Sequence, residues 1–547
     1  MSRKPPRVYA GLSSPLPRLH QTNRLRSRPL RTGTAVLICN PLHPRLTRRR
    51  LLQGSAALAA SSLIPGCGSS ASPAASTPTT PVSPNPQPVP AAPIVTANIT
   101  VTATNTGTIG PAFAGLSYEK DNMAEPTFEA SNTALIALFQ RLGPSVLRIG
   151  GNSVDQCVWT PNGKGRTANQ VAPSDVTALA AFVKAAGWQC LYGINLEGSS
   201  PASPYTTTPT LAAEEVAFAV QAFGSSLLGI EIGNEPDDYG DGTNYYVGTG
   251  WSLSTYETLW KQYRAAILAT TPTAPITGPA DGSHETTWTV PFGQYATKSE
   301  ISLLTQHYYR ADGTLPTSTA AYLITPDPTL VSDLQSLQSG AQGIGIPYRV
   351  SECNSFYNGG APGISDSYAS ALWVIDFLFN CVQGGSSGVN FHGGGDSTGY
   401  TPIADHDGTV DGVRPEYHGI YLFTLAGQGE LYQTTVSAGS LNVTAYAVKT
   451  ATGGLNLIIN NKDLTNSLQL TAQLPQTVSN ATLIAMTQLT PGATAPSLTA
   501  TTNVYIQGAP VNIDGTYTPA APYILEPTGS QLTCYVPALS AVLIQLS

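Results

Sequence analysis

Gly229-Ile230-Glu231-Ile232-Gly233-Asn234-Glu235-Pro236 decides how this chain is read. A short apolar run of β type ends in a glycine, and a carboxylate follows at the turn before a proline. The segment Pro347-Tyr348-Arg349-Val350-Ser351-Glu352-Cys353-Asn354 likewise puts a glutamate just after a short run of β type, 117 residues further on. Outward from these two segments, the chain up to about residue 425 alternates short β-like runs with amphipathic stretches. The runs are 113–118, 146–149, 189–194, 228–232, 275–278, 302–306, 348–351 and 388–391. Helix-like stretches lie between them, for example 132–142, 174–186, 211–223, 254–270 and 365–381. Ser174-Asp175 and Ser254 are expected as N-caps and Gly187 as a C-cap. Eight β/α units predict an α/β fold, a (β/α)8 TIM barrel over 111–425, with its working surface at the C-terminal strand ends.

Beyond 425 the texture changes to short alternating runs broken by Gly, Asn and Pro, without helical periodicity. Residues 426–547 therefore read as an antiparallel β-sandwich domain. The alternating run inside 94–110, ahead of the first barrel strand, is expected to add a strand to it.

The N-terminal part has a different character. All twelve Lys and Arg residues before position 119 fall within 1–50, and the first acidic residue is Glu119. Within 1–67, Thr47-Arg48-Arg49-Arg50-Leu51-Leu52, an apolar stretch 56–64 and Pro65-Gly66-Cys67 read as an export signal of twin-arginine type. The apolar stretch is too short to span a bilayer. Ile64-Pro65-Gly66-Cys67 resembles a lipoprotein processing box, so Cys67 is either lipidated or close to a plain cleavage point. The Ser/Pro/Thr/Ala tract 68–93 carries no charge and is expected to be an extended, flexible spacer. The implied location is outside the cytoplasm: periplasmic, secreted, or held to the cell surface through a lipid on Cys67.

Residues 119–547 hold 14 basic against 33 acidic residues, a formal charge of −19. Such a body argues against nucleic acid or an anionic membrane surface as partner. It would also repel an anionic substrate at long range, so an acidic sugar must be gripped by local donors. Five cysteines remain after Cys39 and Cys67 are set aside, with no Cys-x-x-Cys spacing, so neither a disulfide framework nor a zinc site is implied.

Two carboxylates at barrel strand ends are what cleavage of a glycosidic bond needs: one gives a proton to the leaving oxygen, the other attacks or activates water. Proton transfer and nucleophilic attack need only the carboxylates, so no cofactor or metal is implied. The pattern resembles the large clan of retaining glycosidases, in which Asn-Glu after strand four carries the acid/base and a glutamate after strand seven the nucleophile. Further motifs resemble glycoside hydrolase family 79, the β-glucuronidases and heparanase-type endo-glucuronidases. They are Leu147-Arg148-Ile149-Gly150-Gly151-Asn152, Gly193-Ile194-Asn195, Gln306-His307-Tyr308-Tyr309 and Phe391-His392-Gly393, after strands two, three, six and eight. The resemblance covers the barrel and the sandwich.

That resemblance implies Glu235 as acid/base and Glu352 as nucleophile. It also implies Asn234 on the sugar 2-hydroxyl, Tyr308 donating to Glu352, and Glu119 on the outer hydroxyls. Arg148, His307 and His392 are expected as supporting residues, and Glu231 as a structural partner of an arginine. The loop Tyr357-Asn358-Gly359-Gly360 resembles one that binds a sugar carboxylate through backbone N–H groups and a tyrosine. Tyr357 and Gly359 would then touch the carboxylate, with Tyr400 as helper. The expected activity is a retaining exo-β-glucuronidase acting on a carbohydrate substrate. Endo action, a neutral-sugar glycosidase such as a β-xylosidase or arabinofuranosidase, and a non-catalytic polysaccharide-binding lipoprotein stand as alternatives.

Overall fold

The computed structural model of the chain describes residues 85–240, 250–395 and 399–547. The export signal and Cys67 lie outside the described residues.

Eight parallel strands form the barrel: Ala114–Glu119, Val146–Gly150, Gln189–Ile194, Leu227–Ile232, Gly278–Asp281, Leu304–Asp312, Tyr348–Tyr357 and Val389–Gly393. The first four pair in succession, the eighth pairs with the first, and the fifth to eighth pair in turn. A parallel bridge between Ile230 and Ile276 brings strand four against the approach to strand five and closes the ring. The fifth strand sits later than the expected 275–278. Residues up to 277 serve strand four, with the Thr277 N–H donating to Ile230 at 2.9 Å. The pairing then shifts to strand six through Gly278 and Pro279. One short segment thus serves two neighbours in turn.

Most strands are apolar and buried on both faces, as parallel strands covered by helices must be. The covering helices are Thr133–Arg141, Pro173–Ala186, Pro209–Phe223, Leu253–Thr270, Val290–Ala296, Pro328–Ile344, Tyr368–Gln383 and Pro415–Leu425. Gly187 ends its helix in the left-handed region, φ 72°. The N-caps differ by two residues from expectation. Ser252 rather than Ser254 accepts the Thr255 N–H, and Asp175 lies inside the first turn, accepting the Ala172 N–H at 2.9 Å.

Ile94–Ile109 is a long strand at the heart of the C-terminal sheet, antiparallel to Gly429–Ser437 and parallel to Ser467–Gln473. Apart from that parallel pair the ten-stranded sheet is antiparallel. Its inner face closes on a core that includes Ile99, Leu457, Leu470, Leu483, Leu532 and Ile544. Its outer face, through Tyr446, Ile458, Met486 and Leu543, joins the barrel core. Phe379 stacks on Tyr446 at 4.1 Å, and the Tyr368 hydroxyl donates to the Leu539 carbonyl at 3.0 Å.

The spacer's last residues do not hang free. Pro86 bridges Ile524, and Gln87 exchanges two hydrogen bonds with the Tyr535 backbone, at 2.5 and 2.9 Å. Backbone donors left open at a sheet edge give even a proline-rich segment something to pair with. All five described cysteines are free and buried, and burial raises their thiols. No helix among the described residues is long and apolar enough to cross a membrane.

Candidate active site

Arg148 is the centre around which the strand ends are arranged. It leaves strand two fully buried, and its guanidinium reaches three neighbours by separate nitrogens. Nε donates to Glu231 at 2.6 Å, Nη1 to Glu352 at 2.6 Å, and Nη2 to the Asn234 side-chain oxygen at 2.9 Å. The planar fork suits this division, since its donors point in fixed directions. The expected pairing of Glu231 with an arginine is therefore with Arg148. The Gly-Gly pair after strand two has a steric cause. A Cβ on Gly150 would lie 2.1 Å from the Arg148 guanidinium, and one on Gly151 would lie 2.3 Å from the Glu119 carboxylate.

Glu352 lies in the middle of strand seven, which runs on past the expected end at Ser351 with an irregular pairing between Val350 and Glu352, and it is 5% exposed. Burial by itself would raise its carboxyl, but the positive potential of His392, His307 and Arg148 and the hydrogen bond from Tyr309 outweigh it. Its proton affinity falls well below the usual carboxylate range. The Tyr309 hydroxyl donates to Oε1 at 2.7 Å. His392 Nδ1 lies 3.7 Å from Oε2, and its Nε2 3.5 Å from Glu119. Burial lowers the His392 imidazole, but the charges of Glu352 and Glu119 with a hydrogen bond to Glu119 outweigh it, so the net shift is upward.

Glu235 follows strand four in the left-handed backbone region, φ 45° and ψ 55°. Its Oε1 shares a hydrogen bond of 2.9 Å with His307 Nδ1 from strand six. One carboxylate oxygen of Glu235, one of Glu352 and a His307 ring nitrogen lie within 4.8 Å of one another. The same three groups could hold a metal on spacing alone. Both Glu352 oxygens are already engaged, however, one by a guanidinium and one by a phenol. A cation there would face a fixed positive charge. Asp237, Asp238 and His284 form a second such group.

Tyr308 is not where the sequence reading places it. Side chains alternate along a strand, so His307 and Tyr309 face the barrel mouth while Tyr308 faces the helices. There it stacks on Phe377 at 5.1 Å and donates to Asp327. Tyr309 makes the contact to Glu352 that was expected of Tyr308. Asn234 and Glu119 both reach the mouth. Glu119 is held by the Ser153 N–H at 2.8 Å and the Ser153 hydroxyl at 2.5 Å.

The loop after strand seven runs through three successive left-handed residues, Asn358, Gly359 and Gly360, with φ between 60° and 86°. Among the described residues their N–H groups meet no acceptor, although Gly360 is buried. Tyr357, 44% exposed, and Tyr400 flank Tyr309 at 6.4 and 5.6 Å between ring centres. Asn354 ties the two loops together, donating to the Tyr400 carbonyl at 2.6 Å and the His392 carbonyl at 2.9 Å.

Sequence reasoning missed Tyr309, Asn354 and Asp155. The Asp155 carboxylate accepts the Tyr239 hydroxyl at 2.6 Å and the backbone N–H groups of Leu196, Glu197 and Asn234 at 2.8, 3.0 and 3.2 Å. For Tyr309 the signal was present: inward His307 fixes position 309 as inward too. Nothing local marks Asp155, whose partners come from the segments that follow strands three and four.

No family model matches the chain. Over 349 residues it is 27% identical to a β-glucuronidase of Aspergillus niger, a match covering 56% of this chain and 61% of the relative. A β-glucuronidase of Neurospora crassa matches at 35% identity over 75 residues, 13% of each protein. The chain thus spans about three fifths of the length of the first relative and far less of the second. Among solved structures, a 4-O-α-L-rhamnosyl-β-D-glucuronidase from Fusarium oxysporum superposes with a TM-score of 0.67 at 18% identity, over 82% of this chain and 100% of that one. A GH51 arabinofuranosidase from Xanthomonas axonopodis gives 0.56 at 15% identity, over 83% and 100%. Barrel and sandwich together are thus a fold shared with glycoside hydrolases.

Proposed function

We propose that this protein is a retaining β-glucuronidase of the kind grouped in glycoside hydrolase family 79, removing terminal β-linked glucuronic acid from a glycoside or polysaccharide. The observation that carries the reading is the carboxylate pair. Oxygens of Glu235 and Glu352 approach within 4.8 Å, which suits the ~5–5.5 Å separation of retaining enzymes better than the ~6.5–9.5 Å that leaves room for water in inverting ones. Glu352, held ionised, attacks the anomeric carbon as Glu235 gives its proton to the leaving oxygen. The glycosyl ester is then hydrolysed by a water that Glu235 deprotonates. Asn234, oriented by Arg148, offers its amide N–H to the 2-hydroxyl, and Glu119 takes an outer hydroxyl.

The acid sugar is favoured over a neutral one by the loop 357–360. Successive left-handed residues make a concave set of N–H donors that suits an anion, with Tyr357 and Tyr400 beside it. Both curated relatives are named β-glucuronidases. The twin-arginine-like segment would export the protein, with Cys67 as a lipid attachment point.

Hydrolysis of matched aryl β-glucuronide, β-glucoside and β-xyloside by the purified protein tests the substrate. A strong glucuronide preference is expected. Cleavage of only a neutral sugar would overturn the role given to the loop. Palmitate labelling of the exported protein tests the anchor.

A further inference from the structure

Glu235 is held in its left-handed conformation from outside its own loop. Its N–H donates to the Ala280 carbonyl at 2.8 Å, and Ala280 is itself left-handed, φ 60°. Two residues on, the Asp237 carboxylate, 1% exposed, gathers donors from the loop after strand five. The Gly282 N–H reaches Oδ1 at 2.9 Å and His284 Nδ1 reaches Oδ2 at 2.7 Å. Asp281, fully buried, faces Asp237 and accepts the His284 N–H at 2.8 Å and the Thr289 hydroxyl at 3.0 Å. Burial and then the Asp237 charge push the Asp281 carboxyl up. Burial would raise Asp237 as well, but His284, the Gly282 N–H and Asp281 hold it below its ordinary value. The two loops also leave no slack. A Cβ on Gly282 would stand 3.2 Å from Asp237 Oδ2 and 3.4 Å from Glu235 Oε1.

We infer that Asp237 and His284 are positioning residues for Glu235, locking the loop after strand four onto the loop after strand five so that the carboxyl faces the leaving-group oxygen. Neither touches the reacting atoms. His307 sets the Glu235 carboxyl directly, whereas Asp237 sets its backbone. His284, half exposed, stands at the solvent edge of the pair. The inference rests on the acid/base reading of Glu235.

The test is the dependence of kcat/KM on leaving group for aryl β-glucuronides. Proton donation matters for a weakly acidic phenol and little for 2,4-dinitrophenol. D237N and H284A are expected to lose roughly 10–100-fold on the phenyl glucuronide and less than about 3-fold on the dinitrophenyl one, a fraction of what general acid catalysis supplies. E235A should show the same pattern more steeply, with azide restoring turnover of the activated substrate. H284A decides the matter if D237N does not fold, because the imidazole is half exposed. Equal losses on both substrates in D237N and H284A, beside a steep dependence in E235A, would overturn the positioning role. A flat dependence in E235A would instead overturn the acid/base reading, and the positioning role with it.

Discussion

Glu352 is buried and yet ionised, a state that costs several kcal/mol unless neighbours compensate. Compensation comes from the Arg148 guanidinium, the Tyr309 hydroxyl and two imidazoles. The Tyr309 bond is to a charged group, worth about 1.5–3 kcal/mol. Y309F should therefore lower kcat/KM for an aryl glucuronide by roughly 10–100-fold. Y308F should change it by less than about 2-fold, because the Tyr308 hydroxyl lies outside the barrel on Asp327. Steady-state kinetics on the two variants separates them, and a larger loss in Y308F would contradict the geometry. E352Q, which removes the proposed nucleophile, should lose at least ~10⁴-fold. The same neighbours fix a pH dependence. A depressed carboxyl contributes stability above its unfolded value of about 4.3, lost as pH falls toward the folded value. A raised imidazole contributes stability below about 6.5, lost as pH climbs through the folded value. Glu352 and His392 thus support each other fully between about pH 4.5 and 6.5. In thermal melts across pH, the difference in Tm between wild type and E352Q should shrink below about pH 4. H392Q should flatten the decline on the alkaline side.

Elements place these residues, and their period decides which reach the site. All eight barrel strands begin within three residues of where alternation and apolar runs put them, but strands six and seven run six residues further than expected, to Asp312 and Tyr357. Strand five is displaced by three residues because it divides its pairing between two neighbours, which no local pattern announces. The helix Pro328–Ile344 carries Leu330, Leu334, Leu337 and Ala341 on its buried face, a spacing legible among its serines and glutamines. Pro415–Leu425 is buried almost all round, so its residues show no polar face for periodicity to find. The glutamate pair was legible because each follows a short apolar run, although strand seven continues beyond Glu352 to Tyr357, whereas Tyr309 required knowing the strand's phase. Asp155, Asn354 and Asp237 act across loops, and their partners are distant in sequence. The loop 357–360 makes its own prediction at this scale. A Cβ on Gly360 would come within 3.0 Å of the Ser365 side chain and of the Tyr400 N–H, at φ 86°. G360A should push this loop away from the one carrying Tyr400. The ratio of glucuronide to glucoside kcat/KM is expected to fall by roughly 10-fold or more, the loss of one or more anion contacts. Melting temperature should drop only by the few degrees that ~1–2 kcal/mol implies. An unchanged ratio would remove the loop from carboxylate recognition.

At the scale of the whole molecule, the sandwich completes the barrel. Tyr368–Gln383 is apolar on nearly every side and buried along most of its length, as a helix must be when it lies between two bodies. One side meets strands seven and eight, with Phe377 on Phe391 at 5.8 Å. The other meets the sheet, with Phe379 on Tyr446. Polar groups fix the register of this contact. Asp376, on the same helix, accepts the Thr444 hydroxyl at 2.6 Å and the Tyr446 hydroxyl at 3.1 Å, and it pairs with Lys462. The strand Ile94–Ile109 and the docked residues 85–87 reach the sheet from ahead of the barrel, so the chain crosses between the two bodies more than once. A domain whose neighbour covers so much apolar surface does not unfold by itself, because exposing that face costs roughly 25 cal/mol per Å². Calorimetry of residues 85–547 should therefore show a single transition, with calorimetric and van't Hoff enthalpies in agreement. Removing the Phe379 ring leaves a cavity at the junction, and F379A should destabilise by about 3–5 kcal/mol while keeping the single transition. Two separate transitions in the wild type would mean that barrel and sandwich are independent. In that case F379A would shift both melting points little, and the sheet would be an appendage to the barrel instead of one of its walls.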